Sequence, residues 1–236
     1  MLQLKDLRSG YGKVSVLQGV NLHVNQGEIV GLLGKNGVGK STTLKSIMGL
    51  LPTAGGSVEF EGLALNSIAA HKIPGQGIGY VPQGRGIFGA LSVWENLCLG
   101  LPKDPTLEEL DRSVFSRFPR LKERLKQAAG TLSGGEQQML AIARCIAMSP
   151  KLILLDEPTE GVMPLLVKSI QDQVKSINQD GTAVLLVEQN VKAAARLCDR
   201  IYVMEKGLVA HELASSSFRE NPDVLSELMG FSKTAA

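Results

Sequence analysis

The sequence predicts an α/β fold: buried strands with polar C-terminal ends, and a helical lobe set into the middle of the chain. Three observations carry this. The apolar run Glu28-Ile29-Val30-Gly31-Leu32-Leu33 leads into a glycine-rich turn and then into a helical pattern, Thr42 to Leu50, that ends near Pro52. A second apolar run, Lys151 to Leu155, ends on the acids Asp156 and Glu157. Between them, from Ser92 to Met148, the pattern turns helical.

Taken in order, Leu2 to Leu7 and Val14 to Val24 are expected strands, with Asn25-Gln26-Gly27 turning into the next. Ser9-Gly10-Tyr11-Gly12 between them is expected to form a loop. Tyr11 there is either a plain turn residue or a ring face for a purine. The loop Gly34-Lys35-Asn36-Gly37-Val38-Gly39-Lys40-Ser41 has the spacing G-x-x-x-x-G-K-[ST] between a strand and a helix. Its glycines let backbone N–H groups converge on a polyphosphate, and the helix start adds positive potential. Lys40 would reach the terminal phosphates, and Ser41 would place a hydroxyl on Mg²⁺.

Gly55-Gly56 and Glu61-Gly62 bracket a short hairpin strand, Ser57 to Phe60. Gly77 to Pro82 reads as a buried strand that stops at proline, which puts Gln83 at the sheet edge where open α/β sheets hold ligands. Ser92 and Thr106 are expected N-caps, the latter with Glu109 in a capping box. Six basic residues between Arg112 and Lys126 make either a solvated face or a surface for something acidic. Ser133-Gly134-Gly135-Glu136 opens a helix to Met148, and is either a second anion nest or only a flexible cap. Asp156 is placed to hold Mg²⁺, and Glu157 to orient and polarise a water. A helix from Pro164, a strand from Thr182 to Val187 ending on Glu188-Gln189-Asn190, another helix and a final hairpin follow. Asn221-Pro222-Asp223 starts a terminal helix, and the tail from Ser232 is expected to be mobile.

Bulk properties exclude several classes. Hydrophobic content of 44% and charged content of 20% give a globular chain with a real core. A net charge of +2 leaves no nucleic-acid footprint. No apolar run reaches the length of a membrane span, and no charged-then-apolar leader is seen at the start. Cys98, Cys145 and Cys198 are far apart and read as core thiols in a reducing cytosol. The 236 residues are expected to form one domain, with 84–149 as its helical lobe.

Over essentially its whole length the chain resembles the nucleotide-binding subunits of ABC transporters. Residues 34–41 resemble the Walker A motif, Gln83 the Q-loop glutamine, Leu132 to Gln138 the signature LSGGEQQ, and residues 152–157 Walker B with its catalytic glutamate. Tyr11 resembles the adenine-stacking aromatic. The resemblance implies a P-loop NTPase (ABC ATPase) fold with a RecA-like core, an antiparallel β subdomain and an inserted helical subdomain. It implies MgATP hydrolysis, with Tyr11, Gly34, Lys35, Asn36, Gly37, Val38, Gly39, Lys40, Ser41 and Thr42 at ATP. Ser41, Gln83 and Asp156 would stand at Mg²⁺, and Glu157, Lys40, Gln83 and Gln189 at the chemistry. Ser133, Gly134, Gly135 and Glu136 would serve the ATP of a second ABC ATPase subunit, either a non-identical paralogue or another copy. Two membrane permeases and an extracytoplasmic binding protein are the further implied partners, at the cytoplasmic face of a membrane.

Within the family, the strings Leu155 to Pro164, Leu186 to Asn190 and Tyr80 to Arg85 resemble the importer branch for branched-chain amino acids, and also that for urea or short amides. Gln189 stands where most relatives have a histidine, and Met163 where the D-loop usually has aspartate. A non-transport ABC ATPase is the rival class, though such proteins usually carry a second cassette or added modules.

Overall fold

Alternation of apolar and polar side chains divides the strands into two kinds. Leu2–Tyr11 (β1) and Val14–Val24 (β2) alternate buried and exposed residues, whereas Ile29–Leu33 (β3) is buried throughout. The first pattern suits a sheet with one wet face, the second a parallel strand covered on both. A computed structural model describes residues 1–219, 221 and 223–230.

After β3 come helix α1 (Lys40–Ile47), β4 (Thr53–Phe60), the short β5 (Leu63–Ala64) and β6 (Ile78–Val81). The helical stretch holds α2 (Val93–Cys98), α3 (Leu107–Leu110), α4 (Pro119–Glu123) and α5 (Gly134–Ala147). β7 (Leu152–Asp156), α6 (Pro164–Gln179), β8 (Ala183–Glu188), α7 (Val191–Leu197), β9 (Arg200–Glu205), β10 (Leu208–Ala214) and α8 (Asp223–Leu228) complete the order.

One sheet is antiparallel in the order β2-β1-β4-β5. The other runs β10-β9-β3-β8-β7-β6, parallel but for β10. Successive residues of the parallel strands face opposite ways. Leu152, Leu154, Leu185 and Val187 pack with α1 and the antiparallel sheet. Ile153, Leu155, Val184 and Leu186 pack with Ile142, Ile146 and Ile170 of the covering helices. Val114, Phe115, Phe118 and Leu121 from the inserted helices join that second cluster.

The structure departs from the sequence expectations at three places. β1 continues through Ser9-Gly10-Tyr11, because Arg8 and Ser9 pair with Gly55 and Thr53 and the Ser9 hydroxyl donates to Pro52 O at 2.9 Å. Gly55-Gly56 lies inside β4 at a register shift, not at a turn. There Gly56 has φ 74° and a side chain would meet Asp6 O at 2.2 Å, so only glycine lets the strands cross this closely. Cys98 is only half-buried, while Cys145 and Cys198 are buried; all three are free thiols.

The helix starts follow their sequence signals. Ser92, Thr106 and Ser133 each close a capping box, with Glu95, Glu109 and Glu136. Asn221 Oδ1 accepts from Asp223 N at 3.2 Å, while Pro222 and the tail from Ser232 lie outside the described residues. Most of the basic stretch is a solvated face, where Arg112, Arg120, Lys122 and Arg124 pair with Glu108, Glu123, Asp111 and Glu136, whereas Arg117 is largely buried and pairs with Asp180.

Candidate active site

Three parallel strands bring their C-terminal ends to one level. Leu33 is opposite Glu188, and Asp156 is opposite Val187. The groups that follow these strands in sequence are therefore neighbours in space. The glycine loop leaves β3 tightly enough that a side chain at Gly34 would lie 2.7 Å from Met204 O. Lys40, 4% exposed, turns back over that loop and donates to Gly34 O at 2.8 Å and Lys35 O at 3.0 Å. Its ammonium also lies 3.5 Å from Glu157 Oε1.

Asp156 ends β7 with both oxygens engaged. Ser41 Oγ donates to one at 2.9 Å and Tyr80 OH to the other at 3.4 Å. Burial, the largest influence, lifts this carboxyl above its ordinary range, and the Glu157 charge adds to the lift. The bonds from Ser41 and Tyr80 pull the other way, and Lys45 contributes least. A hydroxyl beside an under-compensated buried carboxylate is a hard-oxygen pair. It fits Mg²⁺, which takes one or two protein oxygens and completes its shell with phosphate oxygens and water.

Glu157 sits in the left-handed region at φ 49°, held by its N–H to Val187 O at 3.0 Å. A non-glycine residue there is strained, and such strain gathers at sites where geometry matters. The conformation turns the carboxylate toward β8. Gln189 Nε2 donates to both Glu157 oxygens at 2.7 Å. Glu188, 3% exposed, accepts from Thr159 Oγ1 at 2.7 Å and from Asn190 N at 3.4 Å. Burial raises its pKa, the bonds from Thr159 and from the Asn190 and Gln189 backbone oppose that, and the Glu157 charge adds to it.

A cavity of about 400 Å³ opens over these groups, lined by Tyr11, Asn36, Gly37, Gly39, Lys40, Ser41, Thr42, Gln83 and Glu157. Tyr11 is 46% exposed at its mouth, with Lys45 Nζ 5.9 Å from the ring centroid. Gln83 reaches the rim, but its amide donates to Glu160 Oε2 at 2.8 Å instead of turning to Asp156. Lys35 and Val38 line a separate hollow with Met204 and Lys206 and are not among the residues that line the cavity.

Ser133 to Glu136 do not line this cavity. They start α5, where Ser133 Oγ donates to Glu136 Oε2 at 2.7 Å and Arg124 pairs with the other oxygen at 3.2 Å. Burial pushes the Glu136 carboxyl up, but its bonds from Ser133 and the Arg124 charge prevail and hold it below the ordinary range. Met163 is exposed ahead of α6. Sequence reasoning missed the Tyr80, Thr159 and Glu160 contacts. The pairing of β6 with β7, which sets Tyr80 beside Leu154, is the signal that would have found the first.

A buried lysine on a glycine loop, a hydroxyl–carboxylate pair and an oriented glutamate at one sheet edge define a P-loop nucleoside triphosphatase. The ABC transporter family model matches residues 17–160, and the chain belongs to that family. It is 42% identical to the high-affinity branched-chain amino acid transport ATP-binding protein BraG of Pseudomonas aeruginosa, over 98% of this chain and 100% of the relative. The probable branched-chain amino acid transport ATP-binding protein LivF of Archaeoglobus fulgidus is 35% identical over 94% of this chain and 95% of its own. The lipopolysaccharide export system ATP-binding protein LptB of Escherichia coli is 37% identical over 89% of each.

Among solved structures, the ADP conformation of an ATP-binding cassette of an ABC transporter superposes with TM-score 0.81 at 27% identity, covering 98% of both chains. A dimeric bacterial ABC transporter cassette gives TM-score 0.80 at 27% identity, covering 91% of this chain and 99% of its own. The chain is thus the ATP-binding subunit of a transporter, an ABC-type ATPase whose hydrolysis of ATP is coupled to transport. Among the described residues no helix is long and apolar enough to cross a membrane.

Proposed function

We propose that this chain powers uptake of branched-chain amino acids through partner permeases and an extracytoplasmic binding protein, working as one cassette with 84–149 as its helical subdomain. The likeness to BraG and LivF over nearly the whole chain supports the cargo class. Urea or a short amide is the rival cargo: Asn36 to Gly39, Pro158 to Gly161 and Tyr202 to Gly207 resemble that branch, whereas Met139 to Ile142 and Pro164 to Val167 resemble the amino acid one.

The observation that carries the chemistry is the Gln189–Glu157–Lys40 contact beside Ser41 and Asp156. Tyr11 offers its ring to adenine, and the amides of residues 34–42 cradle the phosphates. Lys40 exchanges its loop carbonyls for terminal phosphate oxygens. Ser41 and Asp156 would hold Mg²⁺, which when bound neutralises phosphate charge. Glu157 then polarises the attacking water, once Gln189 gives up one of its two bonds. Gln83 is the further contact to that water, after release from Glu160.

The second cradle, Ser133 to Glu136, cannot serve this cavity and is assigned to a nucleotide on a partner cassette. Gln189 in place of histidine suits a partner that is a non-identical paralogue. A groove of about 940 Å³, lined by Met48, Leu50, Phe88, Leu99 and Arg144, is the seat for a permease loop on the cytoplasmic side of the membrane. The test is Glu157→Gln with MgATP: phosphate release should fall by more than about a hundredfold while an ATP-dependent dimer accumulates on size exclusion. Retained turnover would remove Glu157 from its role. Leucine uptake by the complex reconstituted in vesicles, against urea uptake, decides the cargo.

A further inference from the structure

The loop that follows Gln83 is built in an expensive way. Gly84, Arg85 and Gly86 have φ of 77°, 75° and 60°, three successive left-handed residues with an arginine in the middle. That conformation costs a side-chain-bearing residue about 1–2 kcal/mol, so the fold must gain from where the side chain goes. It goes to the start of α5. Arg85 Nη1 donates to Gln137 Oε1 at 2.7 Å. Its other nitrogen, Nη2, lies 2.8 Å from where a methyl on Gly134 would stand. Gln137 is itself fixed, its amide donating to Leu132 O at 3.0 Å and Gly130 O at 3.3 Å. Arg144 on α5 ties the same loop a second time, donating to Gly86 O at 2.7 Å.

The opposite side of the helix start is held from the other strand. Leu166, in the first turn of α6, packs so closely over Gly135 that a methyl there would come within 2.2 Å of its Cδ1. The two loops are joined near the cavity by Gln83 and Glu160. Arg85 is also electrostatically out of place. It is a cation beside the positive end of a helix, and among the described residues its side-chain bond is to a neutral amide oxygen.

We propose that Arg85 is a positioning residue that locks the cradle at Ser133–Gly135 to the Gln83 loop, so that what one cassette holds in its own cavity sets how it presents its cradle to the partner. This rests on the reading that the cradle serves a nucleotide of a partner cassette. Arg85 then governs pairing of cassettes and not binding of ATP to one of them.

The test uses the full chain carrying Glu157→Gln, with MgATP, followed by sedimentation. Adding Arg85→Ala is expected to weaken ATP-driven dimerisation by about tenfold or more, the loss of one charge-assisted bond. ATP affinity measured on dilute monomer should stay within about twofold. Gln137→Leu removes the acceptor that Arg85 uses and leaves Ser133 to Glu136 in place, so it should reproduce the defect, and the pair should be no worse than Gln137→Leu alone. Unchanged dimerisation in Arg85→Ala, multiplying effects in the pair, or an equal loss of monomer affinity each overturns the proposal. A Glu157→Gln parent that stays monomeric at saturating ATP overturns instead the shared-site reading beneath it.

Discussion

Replacing Gln189 with histidine should make the homodimer faster. Both oxygens of Glu157 accept from the one amide nitrogen of Gln189 at 2.7 Å, and Lys40 stands 3.5 Å from one of them. A carboxylate so occupied must release a bond before it can take hold of a water. An imidazole offers a single N–H toward the same side. A bond to a charged group contributes about 1.5 kcal/mol at the low end of its range, so freeing one oxygen lowers the barrier by about that amount. The rate consequence is about tenfold in kcat. KM should hardly move, because Gln189 does not line the nucleotide cavity. Steady-state phosphate release by purified Gln189→His against the parent reads both numbers. An unchanged or lower kcat would falsify the view of Gln189 as a clamp on the base.

Two further outcomes are expected. Lys40→Ala should weaken nucleotide binding by at least about tenfold, the loss of a charge-assisted phosphate contact, and calorimetry giving an unchanged affinity would remove the loop from its role. Glu188→Gln should stabilise the fold at neutral pH by about 2–4 °C in Tm, since it removes a buried charge, keeps the acceptor for Thr159 and weakens only the backbone contacts from Asn190, at 3.4 Å, and Gln189. The sign follows from the raised pKa of Glu188: the folded state holds its proton more tightly than the unfolded, so stability is lost as pH rises from the ordinary carboxylate range through the raised value. Thermal melts across that window should show the parent declining more steeply than Glu188→Gln, and parallel curves would refute the assignment.

Much of the site could be read from the chain because it depends on local pattern. Runs such as Leu152 to Leu155 are too apolar for anything but a doubly covered strand, and whatever follows them must emerge at the sheet edge. Ser92, Thr106 and Ser133 declare helix starts through a partner only three residues away. What stayed hidden depends on pairing across long stretches of sequence. Gly55-Gly56 reads as a turn until β1 is laid beside it. Gln83 finds Glu160 and Arg117 finds Asp180 only after the sheet has closed and the helices have docked. Tyr11 is undecidable alone, because its role depends on a cavity made by residues from four separate segments.

The unequal burial of the three cysteines has a practical consequence. Cys145 borders the groove but is only 5% exposed, packed so closely that a side chain at Gly79 would sit 2.1 Å from its sulfur, and burial pushes its thiol up to about 12. Cys198 is equally enclosed, its thiol raised by burial and by Asp199. Cys98 closes α2 one residue before Leu99 on the groove wall, with partial access to solvent. A maleimide fluorophore therefore has one place to attach without any engineering, and its emission would follow what settles into the groove beside it.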